Sequence, residues 1–332
     1  MNTTAADGAF PDLSVIVPVF NAEAYLPALI DQIFSLRDNG LSVELICVDD
    51  ASSDGSVAVL QELAKTNSGI HVIEQELNQG AGLARNLAWE QATGRYTMFF
   101  DADDKLHGSV VADAIRDMDA NSEVDVAVFA YRYEREASAS FTEMNYDDKR
   151  ILDALLNGTS VAIGTIETMA RLLTFTNYPW NKIIRTAHYK DQGMRFGRTK
   201  VNNDILGHWY SLILSRSIMV RSAVNCTHVV HPQGMNLTNA FGIERLSVFD
   251  ALHETYDFLE ARPAFRRRFA HHYWSLAVRL MGWVRPRLDP LLQLEAEMRY
   301  AQLLSRIDIG DLTRIRRRHS PNLANSIVGH LT

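Results

Sequence analysis

Three carboxylates, Asp101, Asp103 and Asp104, close the apolar run Tyr96-Thr97-Met98-Phe99-Phe100. A strand this apolar belongs inside a sheet covered on both faces, and acids just past its carboxyl end stand where open α/β sheets bind their ligands. If strand geometry continues, Asp101 and Asp103 project to the same side, and their oxygens suit a hard divalent cation that also holds phosphate oxygens. The competing reading is a solvated turn in which Asp104 caps the next helix. A second acidic pair, Asp49-Asp50, follows Val43-Glu44-Leu45-Ile46-Cys47-Val48 directly. In a parallel sheet all strand carboxyl ends lie along one edge, so both groups point toward one crevice. One carboxylate there can accept hydrogen bonds from a base N–H or ribose hydroxyls while the other group holds metal; helix capping is again the alternative.

The elements that must position these acids alternate from Leu13 onward, strand-like then helix-like, with short polar joints. Strands are expected at Leu13 to Val17, Val43 to Val48, Ile70 to Glu74, Arg95 to Phe100 and Val124 to Tyr131. Helices are expected at Ala22 to Leu36, Gly55 to Lys65, Gly82 to Thr93 and Ser109 to Met118, from apolar spacing and from the turn residues that bound them. A dinucleotide-binding domain predicts the same alternation, but it needs a Gly-rich turn after the first strand so that the backbone can approach the pyrophosphate. This chain has Pro18-Val19-Phe20-Asn21 there. Its phosphates must be neutralised otherwise, and a metal on Asp101 and Asp103 would do so.

With 332 residues, the chain can hold one large domain with additions or two domains with real cores. A net charge of −7 argues against a general nucleic-acid binder, which needs a positive field to displace counterions. Cys47 and Cys226 lie far apart, as suits a reducing compartment. Met1 to Asp12 reads as a loose tail without the basic start and apolar core of a signal peptide, and no stretch approaches the roughly 20 apolar residues of a membrane span. A cytoplasmic protein is expected.

Four blocks now carry a resemblance: Ser14-Val15-Ile16-Val17-Pro18-Val19-Phe20-Asn21, Val48-Asp49-Asp50-Ala51-Ser52-Ser53-Asp54-Gly55-Ser56, Asn78-Gln79-Gly80 to Ala84-Arg85-Asn86, and Asp101-Ala102-Asp103-Asp104. In order and spacing, from Leu13 to about Met118, they resemble family 2 glycosyltransferases. The resemblance implies the GT-A fold, a mostly parallel α/β sheet, here with a helical C-terminal extension. It implies a nucleoside-diphosphate sugar, usually with UDP, and Mg²⁺ or Mn²⁺ held by the D-x-D block. Pro18 and Phe20 would lie beside the uracil, Asp50 on the uracil or ribose, and Asp101 with Ala102 along the ribose and diphosphate. Asp103 would hold the metal, with Asp101 and with Asp104 as a candidate third ligand. Arg85 and Asn86 would reach the nucleotide from a helix opened by Gly80-Ala81-Gly82; the alternative for Arg85 is a salt bridge on a solvated face.

The second half adds Tyr178-Pro179-Trp180-Asn181-Lys182 and Val201-Asn202-Asn203-Asp204 ahead of the apolar Ile205 to Leu214. Relatives with a W-N-K segment usually follow it with an acidic E-D pair whose aspartate is the catalytic base. Asp204 keeps that place, and Asn203 departs from it. The implied reaction is inverting transfer to a glycan or lipid-linked glycan hydroxyl, with Asp204 taking the proton; a helix N-cap is its alternative role. Trp180, Asn181, Lys182, Asn203 and Trp209 are the candidate acceptor contacts, with buried aromatics the competing reading for the tryptophans. Where many relatives carry a Tyr-Arg stretch and then S-x-T on a loop over the diphosphate, this chain has His231 and Asn236.

The expected layout is therefore a tail at 1–12, a nucleotide-sugar-binding half at 13–120, an acceptor-binding half at 121–245 and a helical region at 246–332. That last region interleaves Arg266-Arg267-Arg268 and Arg314, Arg316, Arg317 and Arg318 with aromatics, which suits either a helical layer on the catalytic domain or a peripheral contact with an anionic inner membrane surface. Two other classes compete: a non-catalytic nucleotide-sugar-binding or assembly module of the same fold, and a nucleotidyltransferase, which would carry a Gly-rich basic signature near the first strand that this chain lacks.

Overall fold

The computed structural model describes residues 10–135, 140–231 and 242–331. One sheet organises it, built from β1 (Leu13–Val19), β2 (Val43–Asp49), β3 (Ile70–Glu74), β4 (Tyr96–Phe99), β5 (Lys105–Leu106), β6 (Val124–Arg135), β7 (Ser140–Glu143), β8 (Val161–Gly164), β9 (Lys182–Arg185) and β10 (Ser217–Val230). The order is β3-β2-β1-β4-β9-β6-β10-β5, with β7 on β6 and β8 on β10. β1 to β4 are mutually parallel. β9 runs antiparallel between β4 and β6, so β6 regains the direction of β4, and β10 is parallel to β6. The expected mixed but mostly parallel α/β sheet is therefore present.

β2 is buried at every residue and β1 at all but Pro18, as strands covered on both faces require. Helix Ala81–Gln91 packs on both β1 and β2. The element predictions for the first half hold to within a few residues; the helix expected over Ala22 to Leu36 is Leu26–Phe34 followed by a 3₁₀ turn, Ser35–Asn39. β9 and β10 escape a local reading: β9 is four residues, and β10 carries Arg221, Asn225, Thr227 and His228 among its apolar residues, which blurs its pattern.

After residue 242 the chain is helical, with Ser247–Glu260 and Pro263–Val284 the longest elements. Tyr256, Tyr273 and Trp274 are fully buried there and pack against one another, so the aromatic residues of this region form a core. Arg266 pairs with Asp311 and Arg268 with Glu167. No helix among the described residues is long and apolar enough to cross a membrane.

Candidate active site at the carboxyl edge of the sheet

The parallel strands deliver their acids to one edge. Asp50, just past β2, is buried, and its two carboxylate oxygens accept the backbone N–H groups of Gln79 (2.7 Å) and Gly80 (2.8 Å). It thereby fixes the entrance to helix Ala81–Gln91, where Gly80 takes a φ of +92° that a side chain would resist. Asp49 accepts from Ser52 N through Oδ2, while its buried Oδ1 has no hydrogen-bond partner. Pro18 is half-buried at the end of β1, and Phe20 is exposed beside it.

Past β4, Asp101 and Asp103 remain partly open, with side-chain exposures of 28% and 32%. Ala102 between them is buried. Asp101 Oδ1 accepts from Arg85 Nη2 (2.5 Å), and Asp103 Oδ2 lies 3.0 Å from His231 Nε2. Burial and then the neighbouring charge of Asp101 raise the Asp103 carboxyl above its ordinary range. Asp104 is different. Its carboxylate is fully buried and accepts from His228 Nδ1 (2.8 Å) and Val229 N (2.9 Å), bonds that tie the loop after β4 to β10. It neither caps the following helix nor belongs with the candidate metal ligands.

Arg85 links the two halves of the site. It is buried, and its guanidinium fork donates to Asp101 and, through Nη1, to Asn203 Oδ1 (2.8 Å), with Phe196 beneath the charge. The solvated-face alternative is excluded. Helix Ala81–Gln91 comes this close to residues 197–203 because Gly82 has no side chain: a Cβ there would run into the Gly197 carbonyl and lie 2.7 Å from Asn203 Cβ. Asn86, expected to reach the nucleotide, instead spends its amide on the backbone of Phe196, accepting from N (2.8 Å) and donating to O (3.1 Å). It fixes the segment that carries Phe196.

Asp204 is the first residue of helix Asp204–Ile213, and Asn203 precedes it as N-cap. The Asp204 side chain therefore is not the cap. It takes no hydrogen bond from another residue among the described residues, and burial pushes its carboxyl up to about 6, against the opposing charge of Arg85. Lys182, buried nearby, is pulled down to about 7 by its own burial, with Asp204 opposing. Lys182 donates to the carbonyl of Tyr178 (2.8 Å) and to Asn181 Oδ1.

Residues 14–206, more than half of the chain, match the sequence pattern described as glycosyl transferase family 2. The chain belongs to that family. Over 96 residues, 29% of this chain and 37% of the other, it is 45% identical to the provisionally named teichuronic acid biosynthesis glycosyltransferase TuaG of Bacillus subtilis (strain 168). Over 95 residues, 28% of this chain and 15% of the other, it is 36% identical to the poly(ribitol-phosphate) beta-glucosyltransferase of Bacillus spizizenii. The matched segments thus span well under half of these relatives. Across nearly the whole fold it is similar to S. aureus TarS 1-349, crystallised with UDP-GlcNAc, at a TM-score of 0.73 and 18% identity over 96% of this chain and 89% of that one. The fold is GT-A.

Within this family member the acceptor-side expectations fare unevenly. Trp180 and Trp209 are completely buried, Trp180 stacked on Tyr178 and Trp209 edge-on to Tyr273. Neither can offer a face to a sugar, and the competing core reading holds for both. Asn181 is buried as well, donating to the Thr176 carbonyl (3.1 Å). Asn236 lies outside the described residues. The reading of the sequence missed His228, Phe196 and the contact of His231 with Asp103. These partners stand 124, 111 and 128 residues from Asp104, Arg85 and Asp103, too far for any local pattern to announce them.

Proposed function

We propose that this chain is an inverting glycosyltransferase that moves a sugar from a UDP-sugar to a hydroxyl of a glycan or lipid-linked glycan. The observation that carries the reading is the juxtaposition made by Arg85: one fork holds Asp101 of the diphosphate-facing pair, the other holds Asn203 beside the unpaired carboxylate of Asp204. Arg85 thereby ties the loop that would face the donor to the start of the helix that opens on Asp204, the alignment an in-line displacement demands. Asp204, its carboxyl near 6 and its ionised form supported by Arg85 and Lys182, takes the proton from the acceptor hydroxyl as that oxygen attacks C1. Residues 13–120 supply the donor side, with Pro18 and Phe20 beside the base and Asp50 toward the uridine; 121–245 supply the acceptor side.

Asp101 and Asp103 fit a Mg²⁺ or Mn²⁺ ion by donor type, two oxygen acids of which Asp103 has its carboxyl raised by burial and then by the charge of Asp101. Among the described residues no cluster of three or more acidic, histidine or cysteine side chains is placed to hold a metal; Asp101 and Asp103 would hold it together with oxygens of the bound diphosphate. When bound, the cation would offset the charge that grows on the departing UDP. A solved relative in fold, the mannosyltransferase PcManGT of Pyrobaculum calidifontis, holds GDP-Man and Mn²⁺, at a TM-score of 0.54 and 17% identity over 98% of this chain and 89% of that one. Exposed Arg316, Arg317 and Arg318 would suit contact with an anionic membrane surface carrying the acceptor.

UDP release from a panel of UDP-sugars, with and without EDTA, tests the proposal. Metal-dependent release supports it. UDP binding without release from any donor would favour the non-catalytic module.

A further inference from the structure

The tryptophans expected to form a sugar platform are buried, but they leave another aromatic surface beside the base. Tyr178 precedes β9, Tyr133 lies near the end of β6, and His228 sits opposite Tyr133 in the parallel register of β10, so all three reach the carboxyl edge that carries the acids. Tyr178 lies flat on buried Trp180, centroids 4.4 Å apart and planes 14° apart, and its ring also meets Tyr131 and His228 at 5.4 and 5.2 Å while staying partly exposed. Its hydroxyl stands 3.4 Å from that of Tyr133, and both side chains are only half-buried. The turn Pro179–Asn181 that follows Tyr178 packs against helix Asp204–Ile213, and Lys182 Nζ donates back to the Tyr178 carbonyl (2.8 Å). The platform is therefore beside the helix that opens on the proposed base.

Building on the glycosyltransferase reading, we propose that Tyr178 and Tyr133 form the acceptor subsite and that it takes a neutral pyranose ring rather than an alditol phosphate. The C–H face of a pyranose carries partial positive charge and packs on the negative face of an aromatic ring, while its hydroxyls find the phenols and Asp204. An acyclic alditol phosphate has no ring face to lay on the phenols.

Saturation-transfer NMR on the full chain, with and without UDP and Mn²⁺, tests this with methyl β-glucopyranoside, methyl N-acetyl-β-glucosaminide and ribitol 5-phosphate as probes. Ring protons of at least one pyranoside should receive saturation, and ribitol 5-phosphate should receive none. Tyr178→Ala should weaken the pyranoside at least about tenfold, the loss expected for one aromatic sugar contact. Tyr178→Phe should keep most of the affinity. UDP affinity, read by calorimetry, should be the same in all variants. Because Tyr178 supports Trp180, its alanine variant risks misfolding; Tyr133→Ala then decides, with the same loss expected. Pyranoside binding indifferent to both alanine variants, no pyranoside binding by a wild-type chain that binds UDP, or stronger binding of ribitol 5-phosphate overturns the assignment. Tyr178-dependent pyranoside binding by a chain that does not bind UDP would uphold the platform and refute the donor reading instead.

Discussion

As the proposed base, Asp204 sets how transfer should respond to pH. Its pKa is pushed up from 3.8 to about 6 by burial, so the ionised base is depleted as pH falls through 6, and kcat should drop about tenfold per unit below that. Arg85 works against the rise, because its positive charge favours the carboxylate. Arg85→Gln should therefore move the acid limb to higher pH, besides lowering activity through loss of the Asp101 contact. Asp204→Asn keeps the size and the helix-forming geometry but cannot take a proton; transfer should fall about a hundredfold to ten-thousandfold, and the acid limb should vanish from the residue that remains. The same shift makes a stability statement. A carboxyl whose folded pKa lies above its unfolded value begins to cost stability above about pH 4, costs its full amount above about pH 6, and costs nothing well below pH 4, where both states are protonated. The displacement is worth at most about 3 kcal/mol, so Asp204→Asn should raise Tm at pH 7.5 and leave it unchanged at about pH 3. Stopped assays of UDP release from pH 4.5 to 8.5, with UDP binding followed in parallel, make the measurement. An acid limb that survives in Asp204→Asn, or that stays in place in Arg85→Gln, refutes the assignment of the base.

Asp103→Asn should abolish transfer and remove the EDTA-sensitive part of UDP binding; wild-type rates in this variant would move the metal elsewhere. Calorimetry should rank UDP well ahead of ADP, given Asp49 and Asp50 at the end of β2, and equal affinities would contradict the uridine reading. Gly82→Ala should lower Tm by a few degrees and depress kcat more than UDP affinity, because the added methyl forces helix Ala81–Gln91 away from Gly197 and Asn203 and loosens Arg85. A variant as active and as stable as wild type would show that this close approach is relaxed in solution.

Local pattern in the sequence was enough to place Asp49, Asp50, Asp101 and Asp103 at strand ends on one edge. Apolar runs of strand length, helical spacing between them and turn residues at their ends act over a few residues, and parallel strands have only one carboxyl edge. The proposal of Asp204 as base came from motif order alone. What only the tertiary structure decided is what each polar group touches. Asp104 looks like its neighbours in sequence but is withdrawn from the site by His228 and Val229 N, contributed by β10. Arg85 and Asn86 are adjacent on one helix, yet one bridges Asp101 and Asn203 while the other holds the backbone of Phe196. Trp180 and Trp209 fill the interior and leave Tyr178 and Tyr133 at the edge. The physical reason is the same each time: periodicity fixes the direction of a side chain relative to its own element, but burial and hydrogen-bond partners depend on segments more than a hundred residues away, brought there by the packing of the whole sheet.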